Sequence, residues 1–234
     1  MTSPARRHFE RARAAKEAAN RSSGQAMEGD QHQLMMATLV EDRRRLKSIQ
    51  SVERKVETKR SLLPQYDAYV EGALEADSGA QDEVLMYVMI WRFDIGDLAG
   101  GLEIAEYALR HGLTPPDQYQ RNAASIVAEE VATQALNELG ASAKDVDVES
   151  LIGHLKHVEE LTQDADMHDQ VRAKLHKAIG YAQRARGDSD QGNEHLEESL
   201  NHLRRALELD DRIGVKKDIE RLERDLKKAA SGNS

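Results

Sequence analysis

Between Val84 and Trp91 the chain reads VLMYVMIW, eight apolar residues in a row. A helix over 81–95 is therefore apolar nearly all round and must be covered on several faces at once. Gly96-Asp97 breaks it, LAGGLEIAEYALRH predicts a second helix over 98–111, and Gly112 is placed as its left-handed cap. Seven of the nine aromatic residues lie between Tyr66 and Tyr119. Such a concentration marks either a core or a docking surface. Elsewhere the chain is lean, with 39% hydrophobic, 4% aromatic and 32% charged residues in 234. That suits an elongated helical protein, or one that completes its core with further copies of itself. Ala, Leu, Glu, Lys, Arg and Gln favour helix. No useful run alternates apolar with polar, so the expected fold is all-α without a sheet.

The rest of the chain divides by its breakers. Ser3-Pro4 opens a helix over 5–21 as cap and first-turn proline. Its cations Arg6, Arg7, Arg11, Arg13 and Lys16 spread around a thin apolar stripe of Phe9, Ala12, Ala15 and Ala19, so it is marginal alone. Residues 22–31 read as a flexible linker. One long helix is expected over 33–63, with a broken heptad seam and a second basic block: Arg43, Arg44, Arg45, Lys47, Arg54, Lys55, Lys59 and Arg60. Pro64 ends it, and a short helix follows over 65–76. Thr114-Pro115-Pro116-Asp117 predicts the start of a helix running to Leu139. Four more are expected at about 148–162, 166–186, 191–210 and 214–229, before a disordered tail at 231–234. The resulting organisation is a basic region (1–63), a helical core or oligomerisation region (64–140) and an acidic C-terminal region (141–230).

The spacing of 81–113 resembles a tetratricopeptide hairpin, with Gly96 as turn and Gly101, Ala105 and Ala108 as small crossing residues. Residues 166–211 echo it, with a turn at Gly187. Generic antiparallel helix pairs are the preferred reading of both, and a true repeat is the alternative.

The formal charge of −9 conceals an asymmetry. Residues 1–60 hold 14 Lys/Arg against 8 Asp/Glu, and the remainder 19 against 34. A polyanion would be drawn to the first part and repelled by the second. Without cysteine there is neither disulfide nor thiolate metal site. No apolar run approaches the ~20 residues of a membrane span, and the basic N-terminus lacks a secretory apolar segment. A cytoplasmic protein is expected.

Three blocks carry a resemblance: MTSPARRHFERARAAKEA at the start, YVMIWRFDIGDLAGGLEIAEYALRHGLTPP (87–116), and its continuation TPPDQYQRNAASIVAEEV. They resemble the GpM family of small terminase subunits from temperate, contractile-tailed phages of the P-two type. The similarity is clear over 1–140, and the remainder matches by character alone. It implies a subunit that recognises the packaging site on concatemeric viral double-stranded DNA in the bacterial cytoplasm. It would hand that DNA to a large subunit, the ATPase, and assemble as a homo-oligomer, typically a ring. The family is also described as an endonuclease subunit, although strand cutting in most packaging systems belongs to the large subunit. On this reading Met86, Met89, Ile90, Trp91, Phe93, Leu102, Ile104 and Leu109 form the core of an assembly domain, with Gly100-Gly101 letting two backbones approach.

DNA contact is expected first from cations. Arg6, Arg7, Arg11, Arg13 and Lys16 form one candidate surface; Arg43, Arg44, Arg45, Lys47, Arg54 and Lys55 form another. The competing reading for both is a solvated helix face, and no helix-turn-helix is evident. A metal-dependent nuclease, with Mg²⁺ as its ion, is the alternative function, and a protein scaffold without DNA binding is a second. Pro116-Asp117 lacks the following acid-x-Lys of a nuclease signature. Asp94 and Asp97 read as turn and cap residues. His154 and His157, with Glu160 and Asp164, and the group Asp166, His168 and Asp169, read as solvated faces. Arg186-Gly187-Asp188 reads as a turn. No cofactor, no metal site and no catalytic residue is assigned, and the preferred reading is a non-catalytic DNA-binding subunit.

Overall fold

The computed structural model describes residues 3–116, 121–141, 146–190 and 193–232. Eleven α-helices account for most of them: α1 Pro4–Ala19, α2 Asp30–Ser48, α3 Val52–Leu62, α4 Asp67–Ala76, α5 Glu83–Asp94, α6 Leu98–His111, α7 Ala123–Ala141, α8 Val148–Leu161, α9 Asp169–Asp190, α10 Asn193–Leu209 and α11 Lys216–Gly232. A single 3-10 turn at Leu63–Gln65 joins α3 to α4. Among the described residues the one extended pairing is an isolated bridge between Ala26 and Gln81. The all-α expectation holds.

Side-chain caps start α1, α3, α5, α6 and α8. The Ser3 hydroxyl accepts from the Arg6 amide (3.3 Å), with Pro4 in the first turn. Asp82 accepts from the amides of Val84 (2.8 Å) and Leu85 (3.3 Å) and so starts the apolar helix α5. Asp97 does the same for α6 at Gly100 (3.0 Å), and Gly112 closes α6 at φ 67°.

Four expectations need correction. The helix over 33–63 is two helices: Ile49 turns to extended backbone, and Ser51 recaps the chain by accepting from the Arg54 amide. The 22–31 segment is tied down. The Met27 amide donates to the Gln81 carbonyl (2.9 Å), the Gln81 amide to the Gln25 carbonyl (2.7 Å), and Met27 is buried. Thr114–Pro116 are not helical, and the next described helix starts at Ala123. The Gln81 side chain donates to the Thr114 carbonyl and accepts from the Thr114 amide, both at 2.8 Å. Thr114 is thus tied to the start of α5 through its backbone. Asp117 lies outside the described residues. Finally, α9 runs through Gly187 to Asp190, so Arg186-Gly187-Asp188 is helical.

The chain forms two compact units, Met1–Ala123 and Ala124–Ser234. In the first, α5 is enclosed as its sequence demands: every residue from Val84 to Trp91 is buried. Met86, Met89, Ile90, Trp91, Phe93, Leu102 and Ile104 are buried within one chain, and Leu109 is partly buried. Each such side chain contributes ~1.5–3 kcal/mol relative to exposure. The two glycines of α6 make room for side chains rather than backbone. A Cβ on Gly101 would strike the Phe93 ring, and one on Gly100 would strike Arg92 and Asp97. Gly72 of α4 is the true close approach of two helices, since a Cβ there would meet the Arg11 carbonyl and Ala14 of α1.

The second unit is held by α8 against α9, α9 against α10, and α10 against α11. Gly180 lets Leu203 in, and the Ser199 hydroxyl donates to the Gly180 carbonyl (2.7 Å). Leu200, Leu203, Val215, Ile219 and Leu222 form its terminal apolar cluster. These pairs show helix packing with small residues at the contact. Three or more repeats would be needed for a solenoid.

Candidate nucleic-acid interface

The first predicted basic surface is largely neutralised. Helix α1 lies on α4, and two acids of α4 meet its arginines: Arg7 pairs with Glu71, and Arg11 with Glu75 (2.9 Å). Arg6 pairs with Glu10 (2.8 Å) and Arg13 with Asp30 (2.5 Å). The Arg11 guanidinium holds the Glu75 carboxyl below the ordinary carboxylate range. Glu17 is turned inward and accepts from the backbone amides of Gln31 and His32, fixing the start of α2. Of the five cations only Lys16 has no carboxylate partner among the described residues.

The second basic block is arranged differently. Helices α2 and α3 meet at the Ile49–Ser51 break, and α5 packs against both. Together they enclose a groove of about 670 Å³. Its cationic lining is Arg43, Arg44, Lys47, Lys55 and Lys59, and no carboxylate lines it. Its apolar lining is Val40, Leu46, Tyr87 and Trp91. Val40 is 45% exposed, a large apolar side chain left in water beside the cations. The Arg43 guanidinium sits over the Tyr87 ring, 4.2 Å from its centroid, and lies 3.4 Å from Glu83. Trp91 is held edge-on to Tyr66, with centroids 6.0 Å apart. Arg44 pairs with Glu41 (2.8 Å), and Lys59 is partly buried against Asp94. Lys47 and Lys55 have no carboxylate partner among the described residues, nor do Arg45 and Arg54 on the same two helices. A break in the helix thus turns one basic stripe into two facing walls.

Residues 36–170 match the model of a protein family described as the phage small terminase subunit. The chain belongs to that family. It is also 46% identical over 227 residues to the "Terminase, endonuclease subunit" of Escherichia phage P2, covering 97% of this chain and 87% of that relative. No solved structure matches. The family match takes in every residue lining the groove and leaves out α1. Among the described residues no helix is long and apolar enough to cross a membrane.

In this family member Asp97 is the cap of α6, as its reading as a cap residue anticipates, and also pairs with Arg92; Asp94 is the last residue of α5 and pairs with Lys59. His154, His157, Glu160 and Asp164 do not converge on a common point among the described residues, nor do Asp166, His168 and Asp169. Sequence reasoning placed Lys59 in the basic block without assigning it to DNA, and it placed Trp91 only in the core. Tyr87 was missed altogether as a lining residue. The available signal was Ser51, a cap residue inside a supposedly continuous helix.

Proposed function

We propose that the chain recognises viral double-stranded DNA and delivers it to the large terminase ATPase, gripping the duplex in the α2–α3 groove. The observation that carries this reading is a groove with five cations and no carboxylate on its walls. Phosphates release counterions on meeting such a surface, so binding should weaken steeply with salt. Tyr87 and Trp91 are buried beneath the cations and brace the floor, so the exposed apolar contact the groove offers a sugar is Val40. Assembly into a homo-oligomeric ring would repeat the groove around a DNA path. The second unit holds 16 Lys/Arg against 23 Asp/Glu and is the candidate surface for the large subunit, since it would not compete for DNA.

Fluorescence anisotropy with labelled duplex at two salt concentrations tests this. The expected result is saturable binding that falls steeply with salt, accompanied by a change in emission from Trp91, the only tryptophan. Absence of binding at low salt would overturn the proposal. The name of the P2 relative supports a second reading, an endonuclease activity in the chain itself. Incubation with plasmid in Mg²⁺ or Mn²⁺ distinguishes the two, with Asp94→Ala and Asp97→Ala as controls. Intact supercoiled DNA assigns cutting elsewhere.

A further inference from the structure

Three side chains from three helices of the second unit converge. Glu159 on α8 places Oε1 3.3 Å from Nδ1 of His176 on α9, and 3.8 Å from Nδ1 of His202 on α10. The two Nδ1 atoms are 3.1 Å apart. Ligand atoms 2.0–2.1 Å from a tetrahedral zinc ion stand about 3.3 Å from one another. The three edges of this triangle scatter around that figure.

The surroundings leave the three groups to each other. Glu159 has no Lys or Arg partner among the described residues. Arg172, nearby on α9, is committed to the carbonyls of Thr162 (3.1 Å) and Ala165 (2.8 Å). Lys156 of α8 pairs instead with Glu198 (3.1 Å). The imidazoles are mostly enclosed, while the Glu159 side chain is a third exposed and gives a route in for an ion and a water.

We propose that Glu159, His176 and His202 bind one divalent transition cation of the zinc type through these three atoms, with water as the fourth ligand. Two nitrogens and one oxygen suit Zn²⁺ or Co²⁺ and are a poor set for Mg²⁺, which prefers oxygen ligands in an octahedron. The ion ties α8, α9 and α10 together, so its binding stabilises the second unit. The ligands are 17 and 26 residues apart in the chain, on different helices, which hides them from any motif within one helix.

The test uses the full chain, stripped with a chelator and titrated calorimetrically with ZnCl₂. One ion per chain, a raised melting temperature and no response to MgCl₂ are expected. Glu159→Gln and His202→Asn should each weaken binding at least ~10-fold, whereas His154→Asn should leave it unchanged. Co²⁺ should give the visible absorption of a four-coordinate site, and Glu159→Gln should abolish it. This readout requires only that the variant remain helical by circular dichroism, which separates ligand loss from unfolding. No saturable Zn²⁺ binding, or binding that survives both ligand substitutions, would overturn the proposal.

Discussion

Helix α1 and the α2–α3 arms are both dense in arginine and lysine, yet they use that charge in opposite ways. On α1, Arg7 and Arg11 face Glu71 and Glu75 of α4, and Arg6 and Arg13 have acids of their own. On α2 and α3, Arg45, Lys47, Arg54 and Lys55 have no carboxylate partner among the described residues, and the charged side chains that line the groove between the helices are all cations. Residues 1–60 are strongly basic, but the first unit as a whole carries 17 Lys/Arg against 19 Asp/Glu. The charge a segment carries is therefore a poor guide to the charge it presents. What decides is whether the surface it packs on brings acids into register. In α1, Arg7 and Arg11 act as glue that holds the helix against α4; in α2–α3, Arg45, Lys47, Arg54 and Lys55 remain available to a ligand.

Breaking the groove should have the largest effect. Lys47→Gln with Lys55→Gln should weaken duplex binding at all sequences tested and lower the salt dependence by about two counterions, one per lost contact. Anisotropy across a salt series measures both. Next comes the seat of α1. Gly72→Val forces a side chain against the Arg11 carbonyl and should cost ~1–3 kcal/mol in urea denaturation, as overpacking does. If α1 is glue, this variant loses stability while its remaining folded fraction still binds DNA.

A smaller and pH-dependent effect is expected at Asp82, the cap of the helix that floors the groove. Its carboxylate is buried, with the Tyr69 hydroxyl donating to it and His32 3.9 Å away. Burial raises its carboxyl above the ordinary range, against the pull of His32, Tyr69 and the two capped amides. A raised folded pKa means that its contribution is fully present below the unfolded value near ~4 and is lost as pH rises through the folded value. Asp82→Asn keeps the cap acceptor and cannot ionise. Its stability relative to wild type should therefore climb with pH above about 4, as followed by denaturation midpoints. The smallest change should come from Arg7→Ala with Arg11→Ala. Both ion pairs are exposed, and duplex affinity should barely move. A loss matching that of the lysine pair would return α1 to the interface and erase the contrast between the two regions.

Much of the fold was legible beforehand, for local reasons. Ser3-Pro4, Gly96-Asp97 and Gly112 mark helix ends because their chemistry acts on backbone groups within a few residues. The burial of α5 followed from VLMYVMIW having no polar face to offer solvent. The candidate site was half legible. Arg43, Arg44, Lys47 and Lys55 stand out as a basic block, but the apolar spacing carries one helix through Ile49–Ser51, where the structure breaks it and folds the block into a groove. The hold of the Gln81 side chain on Thr114, 33 residues away, lies beyond any local rule.

Composition and periodicity alone determine that this chain is helical, where most of its helices stop, and which helix is enclosed. They do so because hydrogen bonding and burial of a periodic face are short-range along the chain. Only the tertiary structure decided which cations are free, which glycine brings two helices together, and that Glu159, His176 and His202 meet. Pairing and convergence depend on distances between segments far apart in sequence, and those distances are set by how the helices pack.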